Sequence, residues 1–263
     1  MDVLRRHWRV WLRMAAMSFW VQLSYGLGSL GFLVGKIIRL TFFFAYIAAI
    51  FQHTDRLAGF TLAQTALFFL TFNLVDITAM VFFRGVYSAR HVVEDGDLDY
   101  YLIQPVSALF RIAAGNVDFM DIATMLPVVL LLGMTWPQLG GIGLVGALFY
   151  LLLIVNGVAI ALAMHIFVAA LAVRTQELEN TIWIYRDLMF LGKFPIDIYA
   201  TPLKWALIVF IPIGVMTTFP AKALLGMLSA SWIAYSFALG GAFLSGSLWF
   251  WNDAIRRYTS VSS

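Results

Sequence analysis

The sequence predicts an all-α protein that crosses a membrane six times. The chain has 263 residues, of which 62% are hydrophobic and 12% are charged, whereas a soluble domain averages about 45–50% apolar and about 25% charged residues. The apolar residues form continuous runs of about 20, the length of a membrane-spanning helix, and do not alternate as strands of a membrane barrel do. This composition excludes disorder, a disulfide scaffold and a typical soluble enzyme.

Arginine placement predicts the orientation of the chain. Arginines cluster near the two termini, at Arg5, Arg6, Arg9, Arg13, Arg256 and Arg257. Because the cytoplasmic segments of membrane proteins are enriched in Lys and Arg, both termini are expected in the cytoplasm, and the number of crossings is therefore even. The net charge of +3 is too small to indicate a nucleic-acid partner, and the lack of cysteine excludes thiolate metal sites.

Residues 1–27 predict a helix that lies in the cytoplasmic interface of the membrane. Arg5, Arg9 and Arg13 recur every four residues and therefore share one face of a helix, with tryptophans beside them. A basic face flanked by aromatic residues suits the boundary between headgroups and acyl chains. The alternative is that these residues are the basic flank of the first span.

The first span is predicted at 28–52, although Lys36 and Arg39 lie inside it. Long cationic side chains can reach the headgroups from the inner half of a span. In the alternative, 14–35 is the first span and 37–52 is a short second one. Further spans, separated by polar segments at 52–60, 84–116 and 173–180, are predicted at 61–83, 117–135, 144–173 and 228–251.

Residues 181–226 must cross the membrane once in net terms if the last span is to end inside. We predict a span at about 181–200, followed by a hairpin at 203–224 that dips into the outer leaflet and returns. Irregular backbone at this depth is tolerated only when it packs against protein or water. In the alternative, the crossing is at 203–219 and residues 181–194 form an interfacial helix.

Asp76 in the second span is a candidate functional residue, because an acid in mid-membrane is costly unless it faces a cavity or a partner. Two roles are open: contact with a substrate or cation, or an ion pair with Lys36 or Arg39. Asn73 lies one turn earlier on the same helix face. The adjacent Arg186-Asp187 in the fifth segment leaves the same two roles open.

His165 stands alone in the fourth span, which is more typical of a hydrogen-bonded packing residue than of a ligand. With His165 included, the candidates for a translocation path or for pairing inside the membrane are Asn73, Asp76, Lys36, Arg39 and His165.

Two glycine patterns resemble nucleotide-binding loops by letters only. Gly26-x-Gly28-x-x-Gly31 has no strand before it, and Gly31-x-x-x-Gly35-Lys36 has the wrong spacing, with Ile37 where Ser or Thr is needed. The chain is therefore expected to bind no nucleotide, metal or other cofactor itself. The glycines are more typical of close packing between helices in a membrane.

The loop 84–116 contains a short acidic helix. Gly96 can adopt a turn conformation, Asp97 is expected to cap the helix, Asp99 adds charge near its N-terminus, and Pro105 ends it. Leu98, Tyr101 and Leu102 share one face, at spacings of three and four. Because acids are poor partners for an anionic leaflet, this helix is better suited to docking on another protein.

The run G-D-L-D-x-x-L-x-x-P-V at 96–106, the Arg-rich start, six inferred spans and the segment IPIGVMTTFPAKALLG at 211–226 resemble an ABC-2-type exporter permease. The resemblance is to short bacterial permeases of about 260 residues, and it covers nearly the whole chain.

The resemblance implies an arrangement of subunits in the bacterial inner membrane. Two permease chains, as a homodimer or a paralogous heterodimer among membrane lipids, would form a path at their interface. Separate ATPase subunits would hold ATP and its Mg²⁺, and the 84–116 loop would couple them to the spans. The coupling residues would be Gly96, Asp97, Leu98, Asp99, Tyr101, Leu102 and Pro105. The runner-up is a secondary transporter or channel that uses Asp76, and a membrane enzyme is a weaker third.

Overall fold

The computed structural model describes residues 2–175 and 181–259, and these residues are predominantly α-helical. The α-helices in chain order are α1 (Asp2–Ser24), α2 (Leu27–Phe51), α3 (Leu62–Phe83), α4 (Ala89–Glu94), α5 (Asp97–Leu102), α6 (Ala108–Ala114), α7 (Phe119–Thr135), α8 (Leu144–Thr175), α9 (Thr181–Met189), α10 (Thr201–Val209), α11 (Phe219–Leu224) and α12 (Ala230–Arg256). The all-α class is confirmed. The break predicted at 173–180 lies mostly outside the described residues.

Five helical segments of the described chain are long and apolar enough to cross a membrane: 27–51, 62–94, 119–139, 144–175 and 230–256. A sixth is obtained if the bent pair of α10 and residues 214–224 counts as one span. Five of the six predicted spans therefore correspond to described segments, although the third begins and ends a few residues later than 117–135. The span predicted at 181–200 is not among these segments.

The first span is one continuous helix, so the alternative of spans at 14–35 and 37–52 is wrong. The chain turns between α1 and α2 at Gly26, whose φ is 51°. Glycine adopts this left-handed conformation without the steric cost that a Cβ brings. α1 is not among the described segments that are apolar enough to cross, and its Arg5, Arg9 and Arg13 are exposed.

The predicted span at 181–200 is not a continuous helix. α9 has nine residues, and 3₁₀ turns follow at Phe190–Lys193 and Ile196–Ile198. Phe194 between them is extended, with φ −111° and ψ 159°. Pro195 disfavours the helical conformation for the residue before it, which accounts for the break.

α8 and α12 lie side by side and run in the same direction. The Asn156 amide nitrogen in the first half of α8 donates to the Ser236 carbonyl in the first half of α12 at 2.9 Å, and Arg174 contacts Asp253 at 2.7 Å near their C-termini. We call this end of the bundle, with α1, residues 84–116 and the C-termini of α8 and α12, the loop end. The opposite end, with residues 52–60 and 136–143, is the hairpin end.

α1 is held to the loop end by polar side chains on one of its faces. The Gln22 side chain donates to the Val117 carbonyl at 2.8 Å and accepts from the Phe119 amide at 2.9 Å. The Ser18 hydroxyl accepts from the Val117 amide at 3.3 Å. α1 therefore packs across the start of α7 at the loop end.

Candidate functional site

A cavity of about 860 Å³ lies between α2, α3, the first half of α7 and residues 183–193. Along α2 its lining extends from Gly28 to Phe43, which is about 22 Å at 1.5 Å per residue. The lining also includes Ser88 and Asn116, which belong to the loop end. The cavity thus reaches from the loop end into the middle of the bundle.

Charged side chains line this cavity in unequal numbers. Five are cationic and two are acidic: Lys36, Arg39, Arg84, Arg186, Lys193, Asp76 and Asp121. Four of the five residues that the sequence singled out in the spans, namely Asn73, Asp76, Lys36 and Arg39, lie in this lining.

An ion-pair cluster at the loop end of the cavity joins three helices. Lys36 Nζ lies 2.6 Å from Asp121 Oδ1 and 3.3 Å from Asp118 Oδ2, and Arg84 also contacts Asp118. Asp118 additionally caps α7, because its Oδ1 accepts from the Met120 amide at 2.8 Å. The cluster ties α2 and the end of α3 to the start of α7.

The two aspartates of this cluster were missed at the level of sequence. A signal was present, since two acids three residues apart stand at the start of an otherwise apolar span. Acids are common in the first turn of a helix, because they cap its free amide groups and interact favourably with the helix dipole. The pattern therefore does not by itself indicate a cation partner.

Asp76 is not in an ion pair with Lys36 or Arg39, and among the described residues its carboxylate makes no ion pair at all. Lys36 is instead occupied by Asp118 and Asp121. The Asp76 carboxylate faces the cavity, where the charges of Arg186, Arg39, Lys193 and Lys36 act on it. The placement of Asp76 toward the protein interior is the one that its charge predicts.

Three cavity cations, Arg39, Arg186 and Lys193, make no ion pair with a carboxylate of the described chain. Arg186 Nη1 lies 3.1 Å from the Met80 sulfur and 3.4 Å from the Tyr87 hydroxyl. Lys193 Nζ lies 3.7 Å from the centre of the Phe190 ring, a cation–π distance. The neighbour of Arg186 in sequence, Asp187, is exposed and does not line the cavity.

His165 is buried away from the cavity. Its Nδ1 lies 2.7 Å from the Ala161 carbonyl oxygen, and the rings of Phe83, Tyr87 and Tyr185 surround it. His165 is therefore a packing residue, and its candidacy for a translocation path is not supported by its position.

The glycines of α2 do not pack closely within this chain. Gly31 and Gly35 line the cavity, and a Cβ on either would meet no heavy atom of the described residues within 4 Å. Close approach occurs elsewhere: a Cβ on Gly157 of α8 would lie 2.7 Å from the Met216 carbonyl oxygen, and one on Gly240 of α12 would overlap the Asn156 side chain.

The short helix of the 84–116 loop is α5. Gly96 has φ 78°, which confirms its turn conformation, but Gly96 itself occupies the N-cap position that was predicted for Asp97. Asp97 and Asp99 lie in the first turn, where negative charge is favourable. The helix ends at Leu102, three residues before Pro105, the residue that was predicted to end it.

The predicted docking face of α5 is only partly available. Leu98 is 0% exposed and belongs to the same buried cluster as Val93 and Ile112, so it is a core residue of the chain. Tyr101 is partly buried, with Arg111 Cζ 4.2 Å from its ring centre. The exposed apolar residues are Tyr100, Leu102 and Ile103, which we call the loop patch. Hydrophobic periodicity identified an apolar face but not what covers it.

The segment predicted as a hairpin is bent by 82° between α10 and residues 214–224. Asp197 joins its two arms: Oδ1 lies 2.6 Å from Lys204 Nζ in α10, and Oδ2 lies 2.6 Å from Lys222 Nζ in α11. Burial alone raises the pKa of the Asp197 carboxyl, but the hydrogen bonds and charges of the two lysines outweigh burial and hold that pKa below its ordinary value. The two ends of the arms that lie away from the bend therefore meet at one carboxylate.

The comparisons with known proteins agree with this architecture. None of the curated proteins or solved structures compared with the chain matches it significantly. The family model described as ABC-2 family transporter protein matches residues 37–262, which is most of the chain. The chain therefore belongs to the ABC-2 transporter family and is a membrane permease component of an ABC transporter.

Proposed function

We propose that the chain is the permease subunit of an ATP-driven exporter in the bacterial inner membrane, energised by separate ATPase subunits. The observation that carries the proposal is the position of the cavity. It extends to the loop end, where Ser88 and Asn116 of the 84–116 loop line it, and it lies within a bundle that belongs to the ABC-2 family. A substrate entering there would be taken from the side on which the ATPase acts.

The orientation of the bundle follows from its arginines. The loop end carries Arg5, Arg6, Arg9, Arg13, Arg84, Arg90, Arg111, Arg174, Arg256 and Arg257, whereas the hairpin end carries Arg56, Lys204 and Lys222. The positive-inside rule therefore supports a cytoplasmic loop end, with both termini inside and α1 lying in the interface.

The loop patch is the proposed contact for the ATPase. Behind it, α6 packs on the 3₁₀ turn Arg84–Ser88 so closely that a Cβ on Gly85 would overlap the Ile112 carbonyl oxygen. Arg84 in that turn belongs to the ion-pair cluster at the cavity. A displacement of α5 and α6 would thus pass through packed backbone to the end of α3, as a largely rigid-body motion.

Residues 203–224 are proposed to be the outer re-entrant hairpin. The ion pairs of Asp197 with Lys204 and Lys222 support this assignment, because a span crossing the membrane would separate its two ends by about 30 Å. The fifth crossing is then proposed at about 181–200, where Trp183 lies beside Tyr87 and Phe194 lies beside Phe43. This leaves six crossings.

A second permease chain is proposed to face α2. Only 6% of the α2 span is buried within the chain, against 72% for the span that contains α3. The exposed α2 wall of the cavity, with Gly31 and Gly35, supports a path that is completed by a second copy or a paralogous chain.

One observation favours the second candidate function, a secondary transporter or channel with a cation site at Asp76. Asp76 does face the cavity without an ion pair in the described chain. The neighbouring cations disfavour it, because Arg39, Arg186 and Lys193 repel a second cation from this carboxylate.

The proposal is tested by purifying the affinity-tagged chain from its native membrane in mild detergent. We expect a phosphate-loop ATPase to co-purify in stoichiometric amounts and to be lost when the loop patch carries Leu102→Asp and Ile103→Asp. Arg56→Gln, at the hairpin end, is the matched control and should retain the ATPase. Recovery of the chain without any ATPase, under conditions that keep it folded, would contradict the proposal.

A further inference from the structure

The cavity lining holds more positive charge than the described residues neutralise. In the cluster at the loop end, two cations and two carboxylates balance one another: Lys36, Arg84, Asp118 and Asp121. Outside this cluster, the cavity lining holds three cations, Arg39, Arg186 and Lys193, and their charges act on the single carboxylate of Asp76. The described residues therefore leave an excess of two positive charges there.

Such an excess is costly in a membrane-embedded bundle, because cations close to the hydrocarbon region need water or a counter-charge. A cleft that has one sign of charge and low-dielectric walls also concentrates ions of the opposite sign. Arg39, Arg186 and Lys193 together form a site that is electrostatically complementary to an anion.

The walls beside these cations are aromatic. Phe43, Phe69, Phe72 and Phe190 line the cavity, and the Phe43 and Phe69 rings stack at 4.0 Å. Lys193 bridges the two surfaces, since its Nζ lies 3.7 Å from the Phe190 ring centre and 5.2 Å from that of Phe43. A charged head and an apolar body can therefore be bound side by side.

We propose that the cavity binds an anionic amphiphile, whose head lies among Arg39, Arg186 and Lys193 and whose apolar chain lies on the phenylalanine wall. This inference rests on the proposed function, in which the cavity is the translocation path, and it names the class of substrate. The cavity volume of about 860 Å³ is within the range of about 300–1,000 Å³ typical of ligand sites. The negative charge of Asp76 opposes binding of the head and limits its affinity.

The experiment uses the full chain, purified in dodecyl maltoside without any ATPase, and probes of equal chain length. Dodecyl phosphate, dodecyltrimethylammonium and inorganic phosphate are each titrated at concentrations below micelle formation, and the unfolding temperature is recorded. A ligand that binds only the folded state raises that temperature in a saturable way. We expect saturable stabilisation by dodecyl phosphate, and none by the other two probes over the same range.

Variants assign the effect to the cavity. Arg39→Met and Lys193→Met should each weaken the apparent affinity for dodecyl phosphate about tenfold, the value of one charge-assisted hydrogen bond. Arg256→Met, which removes an exposed arginine outside the cavity, should bind like the wild type. Asp76→Asn should bind more tightly, because it removes the opposing charge.

Equal stabilisation by dodecyltrimethylammonium would overturn the proposed charge preference, and equal stabilisation by inorganic phosphate would overturn the role of the apolar wall. Wild-type affinity in both Arg39→Met and Lys193→Met would overturn the site. Because no ATPase is present, any of these results leaves the assignment as an ABC permease intact. Conversely, if no ATPase co-purifies with the chain, the stabilisation by dodecyl phosphate still tests whether the cavity binds an anionic amphiphile.

Discussion

Lys36 of α2 forms an ion pair with Asp121 of α7, in which Nζ lies 2.6 Å from Oδ1. The pair links two spans whose residues are far apart in sequence, and it engages Lys36, which forms no ion pair with Asp76. With Arg84, which belongs to the same cluster, three of the seven charged cavity residues hold the helices together. The other four, Arg39, Asp76, Arg186 and Lys193, make no ion pair among the described residues and can act on whatever the cavity contains.

Lys36→Met is expected to destabilise the fold. The substitution leaves Asp118 and Asp121, whose side chains are each 7% exposed, with Arg84 as their remaining cation. Breaking a buried pair costs about 3–5 kcal/mol, and we expect the lower end because Arg84 remains. Thermal unfolding in detergent measures the loss. The double variant Lys36→Met/Asp121→Leu should recover part of the lost stability. Arg39→Met, which breaks no ion pair of the described chain, should change stability little. Equal losses of stability in Lys36→Met, the double variant and Arg39→Met would contradict a stabilising role for the Lys36–Asp121 pair.

Leu98→Asp and Leu102→Asp are expected to fail in different ways. Leu98 is 0% exposed and Leu102 is 41% exposed, so a charge at 98 must be buried without a partner, whereas a charge at 102 stays in water. Leu98→Asp should destabilise the loop by on the order of 3 kcal/mol and lower the yield of folded protein. Leu102→Asp should fold normally and bind the ATPase more weakly. Size-exclusion profiles and ATPase pull-down separate the two; a well-folded Leu98→Asp protein would show that the loop core is wrong.

Gly157→Ala is expected to displace the hairpin from α8. The added methyl would lie 2.7 Å from the Met216 carbonyl oxygen, a contact with backbone that no rotamer change relieves. Gly241→Ala is the matched control, because a Cβ there meets nothing within 4 Å in the described chain, and it should stabilise α12 by up to about 1 kcal/mol through helix propensity. The unfolding temperatures should therefore move in opposite directions. A neutral Gly157→Ala variant would indicate that the hairpin does not pack there.

Single cysteines are expected to react from opposite sides of the membrane. Ser107→Cys, in the loop end, should be protected from an impermeant thiol reagent added to intact cells and should react after permeabilisation. Thr54→Cys, in the hairpin end, should react in both conditions. The native chain has no cysteine, so no background label is expected. Labelling of position 107 in intact cells would invert the proposed orientation.

Features that depend on hydropathy and length were predicted well. The predicted first span of 28–52 is the helix 27–51. Residues 203–224 fall in the bent pair of helices 201–209 and 214–224, and their assignment as a re-entrant hairpin stays a prediction. Continuous apolar runs specify such helices locally. The span predicted at about 181–200 is interrupted at Phe194, because Pro195 disfavours the helical conformation for the residue before it.

Features that depend on tertiary contacts were not predictable in the same way. The sequence placed Asp76, Asn73, Lys36 and Arg39 in one candidate set, and all four line the cavity. Which acid pairs with Lys36 is decided by contacts across more than 80 residues, which no local pattern encodes. The burial of Leu98 has the same cause, because periodicity shows that a face is apolar and leaves open whether lipid, a partner or the chain itself covers it.

The central claim is that this chain provides the membrane path and a separate subunit provides the energy. The most direct measurement is ATP hydrolysis in liposomes by the purified chain, by its co-purified ATPase, and by the complex of the two. We predict that the chain alone hydrolyses no ATP and that the complex hydrolyses ATP at a rate different from that of the free ATPase. The activity of the complex should disappear when the phosphate-loop lysine of the ATPase is replaced. With Leu102→Asp in this chain, the rate should return to that of the free ATPase. Hydrolysis by the chain alone, or activity of the ATPase that is indifferent to the chain, would contradict the account.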